Sequence, residues 1–182
     1  MKILLPIVYL VGSVFCATAQ DDFPEAWIGE YEGEMSIGYV DKPGTVAQVS
    51  YSLYEIIADS VWSHKMTFTS EVYGEIIKDY VIRAKAKGDV VNFILDELNG
   101  VAMEMSYMNN CFYSLFELGG NSYSTTFRRL ADGTLLWDLY MTPYSTKKVD
   151  IISNGDKTEK QTFEVTSFKP SLHQTVIFEK KD

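Results

Sequence analysis

The sequence predicts an all-β protein: an antiparallel up-and-down β-barrel of eight to ten strands, with a two-sheet β-sandwich as the alternative. Three observations lead there. Residues 88–140 form a succession of short runs rich in β-branched and aromatic residues, joined at Asn99-Gly100, Asn109-Asn110, Gly119-Gly120-Asn121 and Asp132-Gly133. Such joins are the strongest short-range hairpin signal a sequence offers. Elsewhere apolar and polar residues alternate with a period of two, as a strand with one face in a core requires. Finally, no long stretch has helical period, and there is no heptad and no repeat of 20–50 residues. A meander of this many strands has raw edges unless it rolls up, and closure removes them.

The elements follow in order. Lys2, the apolar run from Ile3 to Phe15 and the small residues Ala17-Thr18-Ala19 read as a secretory signal cut after Ala19. The run is too short for the ~20 residues of a spanning helix. Residues 20–182 then form a single domain. A lipid anchor on Cys16 is the alternative fate of the N-terminus. From Trp27 to Tyr39, Trp27, Gly29, Tyr31 and Gly33 share one parity and Glu30, Glu32 and Glu34 the other, so one face is apolar or small and the other acidic. Two glycines on the inner face mark a sharp bend or a close backbone approach. Asp41 to Gly44 is a turn. Thr45 to Ile57 places Val49, Tyr51 and Leu53 on one face. Val61 to Thr69 sets Trp62, His64, Met66 and Phe68 against Val61, Ser63, Lys65 and Thr67. Glu71 to Lys78 fits a strand or a short helix, and Lys78 to Lys87 a strand. The meander of residues 88–140 follows, including a strand from Asp89 to Asp96. Val149 to Ile152 is a further short strand, and Gln161 to Phe168 and Thr175 to Glu179 are the last two.

Charge and cysteine content narrow the function. The chain of 182 residues carries a net charge of -9, which becomes -10 once Lys2 leaves with the signal. Nucleic acid and anionic membranes attract the opposite balance. After signal removal only Cys111 remains. An exported domain with one thiol has no internal disulfide, and the core alone holds it together. Cys111 reads as a small buried hydrophobe, with no histidine or second cysteine near it in sequence to activate it.

Catalytic patterns are missing from the sequence. His64 and His173 lie about a hundred residues apart, and phosphate loops, nucleophile elbows, HExxH and paired CxxC do not occur. The expectation is therefore a protein that is not an enzyme and has no resident cofactor. A barrel of this size encloses side chains or one small ligand. The many aromatics suit a small, mostly apolar molecule with a polar tip. Met103, Met105, Phe112, Phe116, Tyr123, Phe127 and Trp137 are the candidate lining, and the expected partner is a small hydrophobic molecule. An interaction module with a filled barrel is the alternative, and an exposed aromatic cluster around Pro143-Tyr144 would favour it.

At Trp27-Ile28-Gly29-Glu30-Tyr31-Glu32-Gly33 the chain resembles the opening of lipocalin-like, calycin-type barrels, in which a first-strand tryptophan beside a glycine packs across the barrel floor. The lipocalin form has a glycine two residues before that tryptophan, where this chain has Glu25. The resemblance gives Trp27 and Gly29 structural roles and implies an arginine over the tryptophan, matched by Arg128 or Arg129. In nitrobindin-like members a histidine just before the last strand ligates haem iron, and Pro170-Ser171-Leu172-His173 has a similar placement. His173 is thus the haem ligand of a minority alternative. The signal ending in Thr18-Ala19-Gln20 resembles exported lipocalin-like proteins of Bacteroidetes-type bacteria, which implies a periplasmic or secreted protein.

Overall fold

The computed structural model describes residues 23–72, 74–154 and 161–182. The secretory signal expected at residues 1–19 and Cys16 therefore lie outside the described residues. Among the described residues, a 3-10 turn at Glu25–Trp27 precedes thirteen strands. These are β1 (Gly29–Tyr39), β2 (Thr45–Leu53), β3 (Glu55–Ile57), β4 (Val61–Ser70), β5 (Gly74–Ala84), β6 (Asn92–Asp96), β7 (Ala102–Met108), β8 (Cys111–Leu118), β9 (Asn121–Arg129), β10 (Leu135–Pro143), β11 (Lys148–Asn154), β12 (Gln161–Ser167) and β13 (Leu172–Lys180).

The main sheet runs β2-β1-β13-β10-β9-β8-β7-β6-β5-β4-β3, and β2 also pairs with β4. That second pairing closes a ring of ten antiparallel strands. The short β3 is left as an appendage of β4. The fold is thus the barrel and not the sandwich. The turns supply the reason for each hairpin. Asn109 and Asn110 both have positive φ, 52° and 57°, as do Gly119 and Gly120, and two left-handed residues in a two-residue loop twist with the strands they join. At β1, Gly33 answers the expectation of a close backbone approach. A Cβ there would lie 2.3 Å from the Ile177 carbonyl oxygen and 2.8 Å from Val176 Cγ2.

Alternation sorts the side chains. Tyr31, Met35 and Ile37 of β1, Val49, Tyr51 and Leu53 of β2, and Trp62, His64 and Met66 of β4 are buried. Glu30, Glu32, Glu34 and Lys65 face water. Cys111 is fully buried and a free thiol.

Several elements depart from the sequence reading. Trp27 sits in the 3-10 turn rather than on the first strand. The strand expected from Asp89 begins only at Asn92. The Asp89 carboxylate accepts the amides of Val91 and Asn92, a side-chain turn that competes with the ladder. Residues 74–84 are all strand, which settles the ambiguity at residues 71–78. The last strand starts at Leu172, three residues early. β11 and β12 pair only with each other, so they form a hairpin outside the ring. Nothing in their alternation distinguishes them from barrel strands.

Candidate functional site

The barrel interior has three levels. One end is closed by a plug. Phe23 enters ahead of the 3-10 turn, and its ring meets Trp62 and Phe112 at 4.9 Å, Phe93 at 5.4 Å, Tyr107 at 5.9 Å and Trp27 at 6.0 Å. Trp27 is fully enclosed and also touches Phe127 at 5.1 Å. These pairs are mostly edge-to-face, the arrangement that ring quadrupoles favour. Arg129 Nε donates to the Ala26 carbonyl at 3.1 Å, which selects Arg129 over Arg128 as the arginine at the tryptophan. On β9 it shares the parity of Phe127, whereas Arg128 points the other way. Gly29 leads β1 out of the plug with φ of 145°, a value that side chains rarely adopt.

Above the plug lies a floor. Tyr51, His64 and Phe127 come from β2, β4 and β9 and meet across the barrel, with ring centres 5.1 Å (Tyr51–His64), 5.0 Å (Tyr51–Phe127) and 5.8 Å (His64–Phe127) apart. Tyr51 Oη lies 3.2 Å from His64 Nδ1. Burial lowers the His64 pKa from 6.5 to about 4, so the ring is neutral at pH 7. Burial also holds the Tyr51 hydroxyl well above the usual phenol range. A phenol donates more readily than it accepts. The pair is therefore best satisfied with Tyr51 O–H donating to Nδ1, which leaves the ring proton on Nε2.

The other end is open. Toward it the inward-facing residues of several strands pass from buried to half-buried, while Met35 and Ile37 of β1 and Ala47 and Val49 of β2 stay buried. Phe68, Tyr80, Leu95, Phe116, Leu139 and Met141 share the inner parity of the core residues on their own strands, yet all are partly accessible. The wall is also incomplete there. β7 pairs with β8 only from Ser106 to Met108. Beyond that, Ser114 Oγ bridges to the Glu104 carbonyl at 2.8 Å, and a groove of about 380 Å³ opens beside Met105 and Ser114. β6 covers only Val81 to Ala84 of β5. Tyr80, next to this gap, has its hydroxyl pKa raised by burial and by a hydrogen bond to Glu97.

The seven residues expected to line a site all take inward parity, and the structure divides them by depth. Met105, Phe112 and Phe127 belong to the packed core. Met103 is 7 % exposed. Trp137 is half-buried against the core. Phe116 and Tyr123 stack face to face at 5.0 Å, with 9° between their planes, on the half-open side. His64, Leu139 and Met141 were not among them. The signal was present: His64 alternates with Trp62, Met66 and Phe68 on the apolar face, and an apolar face carried through a strand encloses whatever polar residue shares it.

The minority alternative at His173 needs correction. His173 does not fit haem ligation from the barrel interior. It lies on the outer face of β13, between the inward Leu172 and Gln174. Its ring stacks on Tyr140 at 4.3 Å and its Nε2 is 3.1 Å from Asp138 Oδ1. At Pro143-Tyr144, where an exposed aromatic cluster would favour an interaction module, neither of the two residues is fully exposed, though the neighbouring Phe168 is 43 % exposed. Both residues are half-buried, with the Tyr144 ring 6.3 Å from Phe168.

No family model matches the chain, and no curated protein matches it by sequence. Among solved structures it is similar to the S-type phycobiliprotein lyase CPES from Guillardia theta. The TM-score is 0.57 at 10% identity, over 87% of this chain and 89% of that one. It also aligns with Rv2717c from M. tuberculosis with a TM-score of 0.41 at 8% identity, over 86% of this chain and 94% of that one. At 10% identity the first likeness is one of fold. It nevertheless overturns the expectation that the protein is not an enzyme. That expectation rested on missing sequence motifs, and a barrel of this architecture bears the name of a lyase. The chain is an all-β protein whose ten-stranded closed antiparallel barrel is of the lipocalin-like, calycin type.

Proposed function

We propose that the protein binds a small, mostly apolar ligand in the open half of its barrel, above the Tyr51–His64–Phe127 floor. One observation carries the reading. Inward-facing apolar side chains near the open end, Phe116, Leu139 and Met141 among them, keep solvent access although they point at the barrel axis. An apolar concave wall in contact with water is what a small-molecule site presents. The ligand contacts are proposed to be Met103, Phe116, Tyr123 and Trp137 from the original set, joined by Leu139 and Met141. Met105, Phe112 and Phe127 pack beneath. Binding is the step that a carrier and an enzyme of this architecture have in common. The setting we infer is outside the cytoplasm, with residues 1–19 removed as a signal. Phe23 and Pro24, a few residues beyond that cut, already pack against the barrel, which is compatible with cleavage there.

A fluorescence titration with N-phenylnaphthylamine, an uncharged apolar dye, tests this. Wild-type protein is expected to give saturable, blue-shifted emission. Met141→Lys, which puts a charge on the inner wall, should weaken binding at least about tenfold, whereas Ile177→Lys on the outer face should not. Equal effects of the two substitutions, or no saturable binding, would refute the reading.

A further inference from the structure

The inner end of the open half holds a polar group with an unused bond. His64 is 7 % exposed and sits inside the barrel. Its Nδ1 is engaged by Tyr51 Oη. Its Nε2 has no hydrogen-bond partner among the described residues. Among the described residues, the fully enclosed side-chain atoms without partners are Trp27 Nε1, Trp62 Nε1, Tyr144 Oη and Ser171 Oγ. His64 Nε2 is not one of them, so it is not sealed off as those four atoms are. Its cross-strand neighbour is the half-buried Tyr80 of the open half. Leaving a buried donor unsatisfied is costly, and a ligand acceptor that reaches it recovers that cost.

We propose that His64 Nε2–H is the anchor for a carbonyl oxygen on the ligand, which makes the ligand class a neutral, largely apolar carbonyl compound: a ketone, ester or amide. This rests on the proposed binding site in the open half and adds to it the identity of the polar tip. Tyr51 sets the tautomer by donating to Nδ1, and the Phe127 ring packs against the imidazole at 5.8 Å. The choice of a neutral tip follows from charge. At pH 7 the floor presents an uncharged imidazole and an uncharged phenol, because burial lowers the first pKa to about 4 and raises the second. A carboxylate brought there would lose its water and meet no cation at the floor. A carbonyl gives up less hydration and finds a donor waiting.

The experiment compares two probes of nearly equal shape, acetylnaphthalene and ethylnaphthalene, in competition with bound N-phenylnaphthylamine. In the wild type the ketone is expected to bind at least as tightly as the hydrocarbon. In His64→Leu the ratio should move about tenfold toward the hydrocarbon, the equivalent of one lost hydrogen bond, while hydrocarbon affinity stays put. His64→Gln, which keeps an N–H donor, should restore part of the preference. If His64→Leu does not fold, the His64 Nε2 resonance of ¹⁵N-histidine-labelled wild type decides: the ketone should shift it and the hydrocarbon should not. Binding of both probes with a ratio untouched by His64→Leu would overturn the anchor and leave the pocket standing. Failure of both probes to compete would overturn the pocket itself, and the anchor with it.

Discussion

Gly33 marks where the backbones of β1 and β13 come too close for any side chain. A Cβ would meet the Ile177 carbonyl oxygen at 2.3 Å, and a backbone atom in a ladder cannot step aside. Gly33→Ala is therefore expected to destabilise the fold by about 2–3 kcal/mol in urea denaturation. Gly38→Ala, where the nearest atom is 3.8 Å away, should change stability by less than about 0.5 kcal/mol. His64 carries a second residue-level prediction. In the native state it stays neutral down to about pH 4, whereas an unfolded histidine protonates near 6.5. Between those values the unfolded chain holds more protons, so this residue's contribution to stability falls as the pH drops through the window and is flat above it. From pH 7 to pH 4.5 the wild type should lose about 2–3 kcal/mol more than His64→Leu, measured from urea unfolding curves at the two pH values. An equal loss in both proteins would mean that His64 is not buried neutral. The residue scale is also where the sequence was hardest to use. Alternation set His64 on one strand face with Trp62, Met66 and Phe68 and left Arg128 and Arg129 both open, and only the closed ring shows that Tyr51 and Phe127 arrive at the height of His64.

The elements separate into those that make the ring and those that do not. Each hairpin of the meander was legible because its turn chemistry is local: Asn109-Asn110 adopts the left-handed backbone that its sequence favours. The hairpin of β11 and β12 was not legible as an outlier. Val149, Ile151, Phe163 and Val165 alternate as a barrel strand would, yet these four are exposed. Pairing partners, which sequence periodicity does not specify, decide the matter. The feet of this hairpin are already tied, since Thr146 Oγ1 accepts from the Lys169 amide at 3.0 Å and contacts its carbonyl oxygen at 3.2 Å. Replacing residues 148–167 by a short Gly/Ser link should thus leave the urea stability of the barrel within about 0.5 kcal/mol of the full chain. A larger loss would show that the hairpin supports the ring.

At the scale of the whole molecule, the closed ring turns a list of alternating strands into an inside with a gradient. The plug around Phe23 and Trp27 fills one end, the Tyr51–His64–Phe127 floor spans the middle, and beyond it the inner wall is half-buried at Phe68, Tyr80, Leu95, Phe116, Leu139 and Met141 while Met35, Ile37, Ala47 and Val49 stay buried. Barrel over sandwich, and an interior rich in aromatics, followed from hairpin-length joins and period-two patterning. The gradient did not, because it depends on where strands end relative to one another and on β6 and β7 falling short of their neighbours. The methionines report on that gradient, since Met103 and Met141 face the open half, Met35 is fully buried, and Met108 is 50 % exposed on the outer face. The most direct measurement is a ¹³C-methyl-methionine NMR titration with acetylnaphthalene. A ligand in the open half predicts saturating shifts of the Met103 and Met141 methyls with Met35 and Met108 unmoved. Shifts confined to Met108, or none at saturating probe, would contradict it.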